Sequence, residues 1–372
     1  MSKQKLPEEW EEVKLEELFE LKYGSSLPEQ KRIPGNCNVY GSNGVVGSHN
    51  EGITKGKTII VGRKGSVGKI NLSEKSCFPI DTTYYVDETK KPCDLKWIYY
   101  ILKTLNLEAL NRAAAVPGLN RKDVYSIRIM FPPLSTQKKI VSILEKAEQA
   151  KEWRKEADKL TNDFLKAVFM EMFLSDKDKF QVKELNEVCE TSSGGTPSRD
   201  KKEYWENGTI LWVKSGELDK GYIYDTEEKI TENGLEKSSA KYFDPETVLL
   251  AMYGATVGKA ALLKVKATTN QAICGIKPKN NSTLNSIYLL HILFSLKEKL
   301  ISKSIGGGQP NISQSIIKET KIPIPPLSLQ HKFASIVRGV EQMKEQQKYS
   351  KEQIDNLFNA LMQKAFKGEL VI

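Results

Sequence analysis

The sequence predicts an α+β protein in which two globular α/β lobes, related by pseudo-two-fold symmetry, are joined by two long antiparallel coiled-coil helices. Three observations carry this expectation. The stretch IMFPPLSTQKKIVSIL at 129–144 returns as IPIPPLSLQHKFASIV at 322–337. Each copy leads into a long polar segment whose apolar residues recur at alternating spacings of three and four, the mark of a coiled-coil seam. Upstream of each, the same series of short motifs appears in the same order, with a period of about 190 residues, too long for a solenoid repeat.

The first lobe is expected over 1–133. WEEVKLEELFELKYGSS (10–26) reads as a short strand and a helical turn entering a Gly/Ser loop, and it matches FQVKELNEVCETSSGGTPS (180–198) at the start of the second lobe, 179–326. GKTIIVGRKGSVGKINL (56–72) matches PETVLLAMYGATVGKAALL (245–263). An amphipathic helix follows in each, DLKWIYYILKTLNLEAL or SIYLLHILFSLKEKLIS, then a Gly/Pro/Asn loop. A strand-like apolar run meets Pro-Pro, and Ser135 or Ser328 stands where a helix N-cap is expected.

The spacer helices are expected over 134–178 and 327–372. The first seam is read as Ile140, Ile143, Ala147, Ala150, Ala157, Leu160, Phe164, Ala167 and Val168, the second as Phe333, Ile336, Val340, Met343, Leu357, Ala360 and Leu361. About 38 residues at 1.5 Å each make a rod of roughly 57 Å. A lone rod with one apolar stripe is unstable in water, so each should pair with the other. Trp153, Phe169, Phe173, Phe358 and Phe366 lie off the seam and suggest a second stripe that docks partners or covers the lobe ends.

Composition narrows the function classes. The chain has 372 residues, 39% of them hydrophobic, and a net charge of +9; the lobes carry +4 and +3 of it and the helices 0 and +2. No apolar run reaches the roughly 18 residues of a membrane span. The charged start, MSKQKLPEEW, does not read as a secretory signal. Five scattered cysteines without a C-x-x-C pair favour a reducing, cytoplasmic setting over disulfides or a cysteine zinc site.

Catalytic motifs do not assemble. GRKGSVGK fails the phosphate-loop pattern, since Arg63 stands where a glycine is needed and Ile70 follows Lys69. Asp81 with Glu88-Thr89-Lys90 imitates a metal-dependent nuclease set, but nothing matches it around Glu319-Thr320-Lys321. His49, His291 and His331 have no metal-ligand spacing.

What recurs in both lobes is a set of loops rich in glycine, amides, hydroxyls and cations. Glycine permits close backbone approach, amides and arginine can read base edges, and lysine, serine and threonine can hold phosphates. The candidates are Tyr40, Ser42, Asn43, Arg63, Lys64, Ser66, Lys69, Tyr84, Asn120 and Arg121 in the first lobe. In the second they are Lys214, Ser215, Tyr253, Thr256, Lys259, Asn270, Gln271, Gln309 and Asn311. Lys64, Lys69 and Lys259 are assigned to phosphates; Arg63, Arg121, Asn270 and Gln271 are assigned to bases. By sequence, Asn270 and Gln271 fall where the first lobe has Tyr84 and Tyr85.

Together, GGTPS, ILWVKSGEL, AMYGATVGKA, TTNQA, GGGQPNIS and IPIPPLSLQ in the second half, and VYGSNGVVG, IIVGRKGSVGK, PIDTTYYV and FPPLSTQKKI in the first, resemble the specificity (S) subunit of type I restriction-modification systems. The resemblance implies two target recognition domains, each reading one half of a bipartite asymmetric site in double-stranded DNA. It also implies two methyltransferase (M) subunits on the helices and lobes, and two motor-nuclease (R) subunits in the full complex. On this reading the chain is not itself an enzyme and needs no cofactor; S-adenosylmethionine, ATP and magnesium belong to partner subunits. A specificity partner of a type IIB or IIG enzyme, an unseen nuclease activity and a coiled-coil scaffold without a DNA role remain as alternatives.

Overall fold

In the computed structural model of the chain, residues 9–110, 118–176, 179–303 and 311–370 are described. They form two compact units. The first joins the residues up to Glu156 to those from Gln347 onward, and the second is the continuous segment Ala157–Gln346.

The first unit carries strands β1 (Glu11–Lys14), β2 (Cys37–Gly41), β3 (Gly44–His49), β4 (Thr58–Gly62), β5 (Ile70–Ser73), β6 (Thr83–Val86) and β7 (Arg128–Phe131), with helix α1 (Leu95–Thr104) between the last two. β1 pairs antiparallel with β7, so the lobe's first and last strands are zipped together. β4 lies between β5 and β6, and all five of its residues are buried; TIIV is a β-branched run suited to a strand covered on both faces. The Asp94 carboxylate caps α1 by accepting from the amides of Lys96 and Trp97, meeting donors that the first turn leaves free.

The helix that leaves this lobe is α2 (Leu134–Phe173), and its first 23 residues belong to the first unit. Its N-cap position falls on Pro133, whose carbonyl accepts from Gln137 N. Ser135 therefore lies inside the first turn, and the helix begins two residues earlier than the sequence suggested.

The second unit repeats the plan with β8 (Gln181–Glu184), β9 (Cys189–Ser193), β10 (Ile210–Val213), β11 (Val248–Ala251), β12 (Ala260–Leu263), β13 (Ile273–Pro278), helix α3 (Ser286–Ser302), β14 (Lys321–Ile324) and the start of α4 (Leu327–Lys367). β8 pairs with β14 as β1 does with β7. β11 lies between β12 and β13 as β4 lies between β5 and β6. Asn285 caps α3 as Asp94 caps α1, and Ser328, like Ser135, sits within its helix's first turn.

Each unit packs one half of α2 and one half of α4 on its own lobe helix. In the first, Asp94 meets Gln137 and Lys103 meets Glu148, so α2 runs with α1; Trp97 meets Phe366 and Lys103 meets Phe358, so α4 runs against it. The Lys151–Asp355 ion pair, 2.7 Å, ties the two long helices directly. In the second unit the roles exchange: Asn285 meets Gln330 and His291 meets Phe333 on α4, which runs with α3, while Phe173 on Tyr288 and Phe169 on His291 set α2 against it.

The buried stripes differ in detail from the expected seam. Ile140, Val141 and Leu144 on α2 and Phe358, Met362 and Ala365 on α4 complete the first core; Leu165, Phe169 and Phe173 with Phe333, Val337 and Val340 complete the second. Leu160 and Phe164, read as seam, are 58% and 50% exposed, and Met343 and Leu357 are 44% and 56% exposed. The physical reason is twofold. A straight helix drifts about 20° per heptad from a strict 3.5-residue repeat, and near each lobe the buried face turns toward α1 or α3. Phe173 and Phe366, expected in a partner-facing stripe, instead pack into the lobe cores, Phe173 at 2% exposure and Phe366 beside Trp97.

Candidate nucleic-acid interface

In the first lobe the β4–β5 connection, Gly62–Lys69, is a compact loop closed by hydrogen bonds from Gly62 N to Lys69 O and from Gly68 N to Gly62 O. Gly68 has φ +76°, and a Cβ there would lie 2.6 Å from Glu108 N, so only glycine suits the position. This explains why GRKGSVGK resembles a phosphate loop: the glycines make a tight β-hairpin. The loop's outer edge presents Arg63, Lys64, Ser66 and Lys69.

Arg63 stacks its guanidinium 4.8 Å from the Tyr23 ring centre and donates to Asp81 O; Arg121 stacks on the same ring at 4.5 Å and donates to Leu21 O. Both cations thus rest on one half-exposed aromatic ring and on backbone carbonyls, and neither has a carboxylate partner among the described residues. Beneath them Tyr84 is buried, its hydroxyl donating to Leu119 O, and burial raises its pKa above the usual tyrosine value. Tyr84 therefore braces the arginines from below. Asn120 caps the short helix that bears Arg121. Next to this cluster, Lys69 donates to the Asn43 carbonyl oxygen at the tip of the β2–β3 hairpin, beside Ser42. Tyr40 lies inside, packed with Ile60 and Cys77. Tyr23, missed by the sequence reasoning, was legible only as an aromatic before the Gly/Ser loop.

The second lobe uses the same frame with different side chains. Ala251 N donates to Lys259 O and Gly258 N to Ala251 O, repeating the closure of the first loop. Ladder positions pair Gly62 with Thr83 and Ala251 with Ile273. Asn270 and Gln271 are therefore the counterparts of Ile80 and Asp81, not of Tyr84 and Tyr85; the sequence match had slipped by four residues, because both strands carry Thr-Thr at different depths. On the same frame Arg63 corresponds to Met252, and Leu119 N donating to Arg63 O corresponds to Ile312 N donating to Met252 O. Arg121 corresponds to Gln314, which donates to Thr191 Oγ1 where Arg121 bonds Leu21.

Lys214, Ser215, Asn270 and Gln271 come together around an open cleft of about 610 Å³, with Thr196, Arg199, Trp212, Glu217 and Glu227. Arg199 lies 3.7 Å from the Trp205 ring centre and 4.9 Å from that of Trp212, and it pairs with Glu228. Arg199 and then Lys214 hold the Glu228 carboxyl below its ordinary pKa against the upward pull of burial. Glu217 is buried and accepts from the amides of Lys214 and Glu227, fixing the strand end. The Thr196 hydroxyl donates to the Gln271 side-chain oxygen, while Asn270 Oδ1 is buried without a hydrogen-bond partner among the described residues. Tyr253 is joined by a backbone bridge to Asn311, and burial raises its pKa. Lys259 pairs with Asp219, and Thr256 accepts from Lys259 N through its carbonyl. Gln309 lies outside the described residues. Thr196 stood within the GGTPS motif, but no spacing marked it, Arg199 or Trp205.

Among the described residues no group of three or more His, Cys, Asp or Glu is placed to hold a metal ion, and no helix is long and apolar enough to cross a membrane. His49 accepts from Ile33 N, His291 is half-buried among aromatic rings, and His331 is exposed.

A duplicated α+β lobe with glycine-closed hairpin loops, each copy completed by halves of both long helices, defines a protein built twice on one frame. The chain belongs to the family whose model is described as the type I restriction modification DNA specificity domain, which matches it twice, over residues 7–160 and 177–356. It is 28% identical over 255 residues to the type I restriction enzyme EcoR124I/EcoR124II specificity subunit of Escherichia coli, covering 65% of this chain and 62% of that one. It is 32% identical over 183 residues to the MjaIX specificity subunit of Methanocaldococcus jannaschii, covering 48% and 41%. The chain thus spans less than two thirds of the length of these two relatives. In fold it is similar to the type I restriction-modification S subunit from M. genitalium, with TM-score 0.60, 20% identity and 98% of both chains covered. It is also similar to a chain from a structure on complex assembly and conformational transition of the type I R-M system, with TM-score 0.68, 20% identity and coverage of 99% and 100%.

Proposed function

We propose that this chain is the non-catalytic recognition subunit of a type I restriction-modification enzyme, each lobe reading one half of a bipartite, asymmetric DNA site. The observation that carries this is divergence on a repeated frame. Arg63 and Arg121 on the first lobe correspond to Met252 and Gln314 on the second, while the hydrogen bonds that hold the backbone are kept. A duplicated scaffold with unlike side chains suits a target whose two halves differ. The long helices act as spacer, and their exposed apolar residues, Trp153, Leu160 and Phe164 on α2 and Met343, Tyr349 and Leu357 on α4, offer a dock for two methyltransferase subunits. Two motor-nuclease subunits complete the assembly. S-adenosylmethionine, ATP and magnesium are used there, not on this chain.

The test maps methylated bases in cells that carry the chain with and without its partner subunits. A new asymmetric, two-part motif is the expected outcome. No change in the methylome, or DNA cleavage by the purified chain with Mg²⁺ alone, would count against the proposal.

A further inference from the structure

We propose that the β2–β3 ribbon of the first lobe enters the major groove of its half-site and that Val45 and Val46 recognise thymine by its C5 methyl group. The proposal rests on the reading of the lobe as a DNA-binding unit and names the element and the chemical group involved. A two-residue turn, Ser42–Asn43, closes the ribbon between Gly41 and Gly44, and β3 is an edge strand paired with β2 alone. Val45 and Val46 are 55% and 45% exposed. Val39, Tyr40 and Gly41 on the paired strand β2 are buried against the lobe, whereas Gly44 to His49 on β3 are half-buried or exposed, so the two valines stand open on the ribbon's outer strand.

The ribbon is held in place with some care. Its register shifts between Val39 and Tyr40, pairing Val39 with Gly47 and Tyr40 with Val45 and leaving Val46 as the extra residue; a bulge of this kind re-aims a side chain. Arg32 donates to Val46 O at 2.8 Å. A Cβ on Gly41 would lie 3.0 Å from Val46 Cγ1, so glycine there leaves room for the valine. In the second lobe the corresponding strand end, at Val213, runs into the 3-10 turn Ser215–Lys220 before the edge strand Glu228–Ile230 pairs back, so the tight turn with its valine pair belongs to the first lobe only.

An exposed β-branched pair on an edge strand invites aggregation unless it is covered or flanked by charge. Here the charge identifies the occupant. Of the seven Lys or Arg in residues 31–69, Lys55 and Lys57 pair with Glu88 and Glu74, which leaves Lys31, Arg32, Arg63, Lys64 and Lys69 beside a single acidic residue of that stretch, Glu51. Lys69 bonds the ribbon tip at Asn43, and a Cβ on Gly65 would touch Ser42 Oγ at 3.4 Å, so the cationic loop and the ribbon form one surface. A polyanion fits this surface better than an apolar protein partner. The major groove admits a two-stranded ribbon, and the thymine methyl is the apolar group exposed on its base edges.

The experiment selects duplexes bound by the full-length chain from two randomised libraries, one made with thymine and one with uracil, which lacks only the methyl group. The expected result is a T·A preference at one or two positions of one half-site, about fourfold per methyl, present in the thymine library and absent from the uracil library. The Val45→Ala/Val46→Ala chain should select the same first half-site from both libraries and keep the other half-site, which also shows that it is folded. Val46→Thr, which keeps the β-branched shape, should weaken the preference without altering the second half. Equal preference by the unaltered chain in the two libraries, or uracil sensitivity that survives the double substitution, overturns the proposal. Enrichment of no sequence from either library defeats the DNA-recognition reading itself, and this proposal with it.

Discussion

Gln137 and Gln330, 193 positions apart, make the same clasp. Each is fully buried in the first turn of a long helix. The Gln137 carbonyl oxygen accepts from the amide of Asp94, the cap of α1, and its NH₂ donates to Pro132 O; Gln330 accepts from the amide of Asn285, the cap of α3, and donates to Pro325 O. One side chain thereby fixes the strand end, the Pro-Pro bend and the start of the lobe helix. This is the physical content of the repeated PPLSTQ and PPLSLQ.

Replacing either glutamine by alanine should leave two or more buried backbone groups without partners, at about 1–3 kcal/mol each. We expect Gln137→Ala and Gln330→Ala to lower stability by roughly 2–4 kcal/mol, read as a shift of the denaturant midpoint. A change within experimental scatter would remove the clasp from the account.

Substitutions on the first-lobe loops should separate into two classes. Lys64→Ala and Lys69→Ala should weaken binding to all duplexes and reduce the salt slope by about one each. Arg63→Gln and Arg121→Gln should cost on the order of 1–3 kcal/mol and relax single positions of one half-site. Binding titrations over single-base variants distinguish the classes. Uniform loss from the arginine substitutions would show that they serve phosphates.

The helices give a third prediction. Phe173→Asp should unfold the second unit, since Phe173 packs against Tyr288 and Phe333, and so it cannot report on docking. Leu160→Glu with Phe164→Glu, on exposed positions, should leave the melting temperature unchanged and reduce co-purification with methyltransferase. Full co-purification would place the dock elsewhere.

His291 makes stability depend on pH. Burial, with Lys344 nearby, pushes its pKa down to about 4, whereas an unfolded histidine titrates near 6.5. Between those values the unfolded chain binds the extra proton, so stability is full above about pH 6.5 and falls as the pH drops toward 4, by on the order of 3 kcal/mol. His291→Phe should flatten this slope in chemical denaturation at pH 4.5, 5.5 and 7. An unchanged slope would point to other groups.

Much of the architecture was legible because duplication writes it twice. The strand-Pro-Pro-helix junction, the paired loops and the antiparallel helices all follow from motifs compared across the two halves. The seam was less legible: Leu160 and Leu357 fit the heptad but face outward, because the buried stripe answers to a third helix that heptad counting does not include. The interface was legible at the level of loops and not of contacts. Arg63 and Arg121 stood out by residue type, but Tyr23, on which both rest, and Trp205, on which Arg199 rests, are joined to them only by tertiary folding. The four-residue slip at Asn270 has the same origin, since Thr-Thr repeats in sequence at places that are not equivalent in the ladder.

The first unit's core contains Phe358, Met362 and Ala365, residues that a ribosome adds only after the whole of the second unit. At about 5–20 residues per second, more than ten seconds separate the emergence of Phe131 from that of Phe358. During that interval α1 and the Ile140–Leu144 face have no cover from α4. The second unit, a continuous stretch, has all its parts once Gln346 is made. The lobe translated first is therefore the one finished last, and a chain that stops a few turns early carries every first-lobe loop candidate without a closed core beneath them.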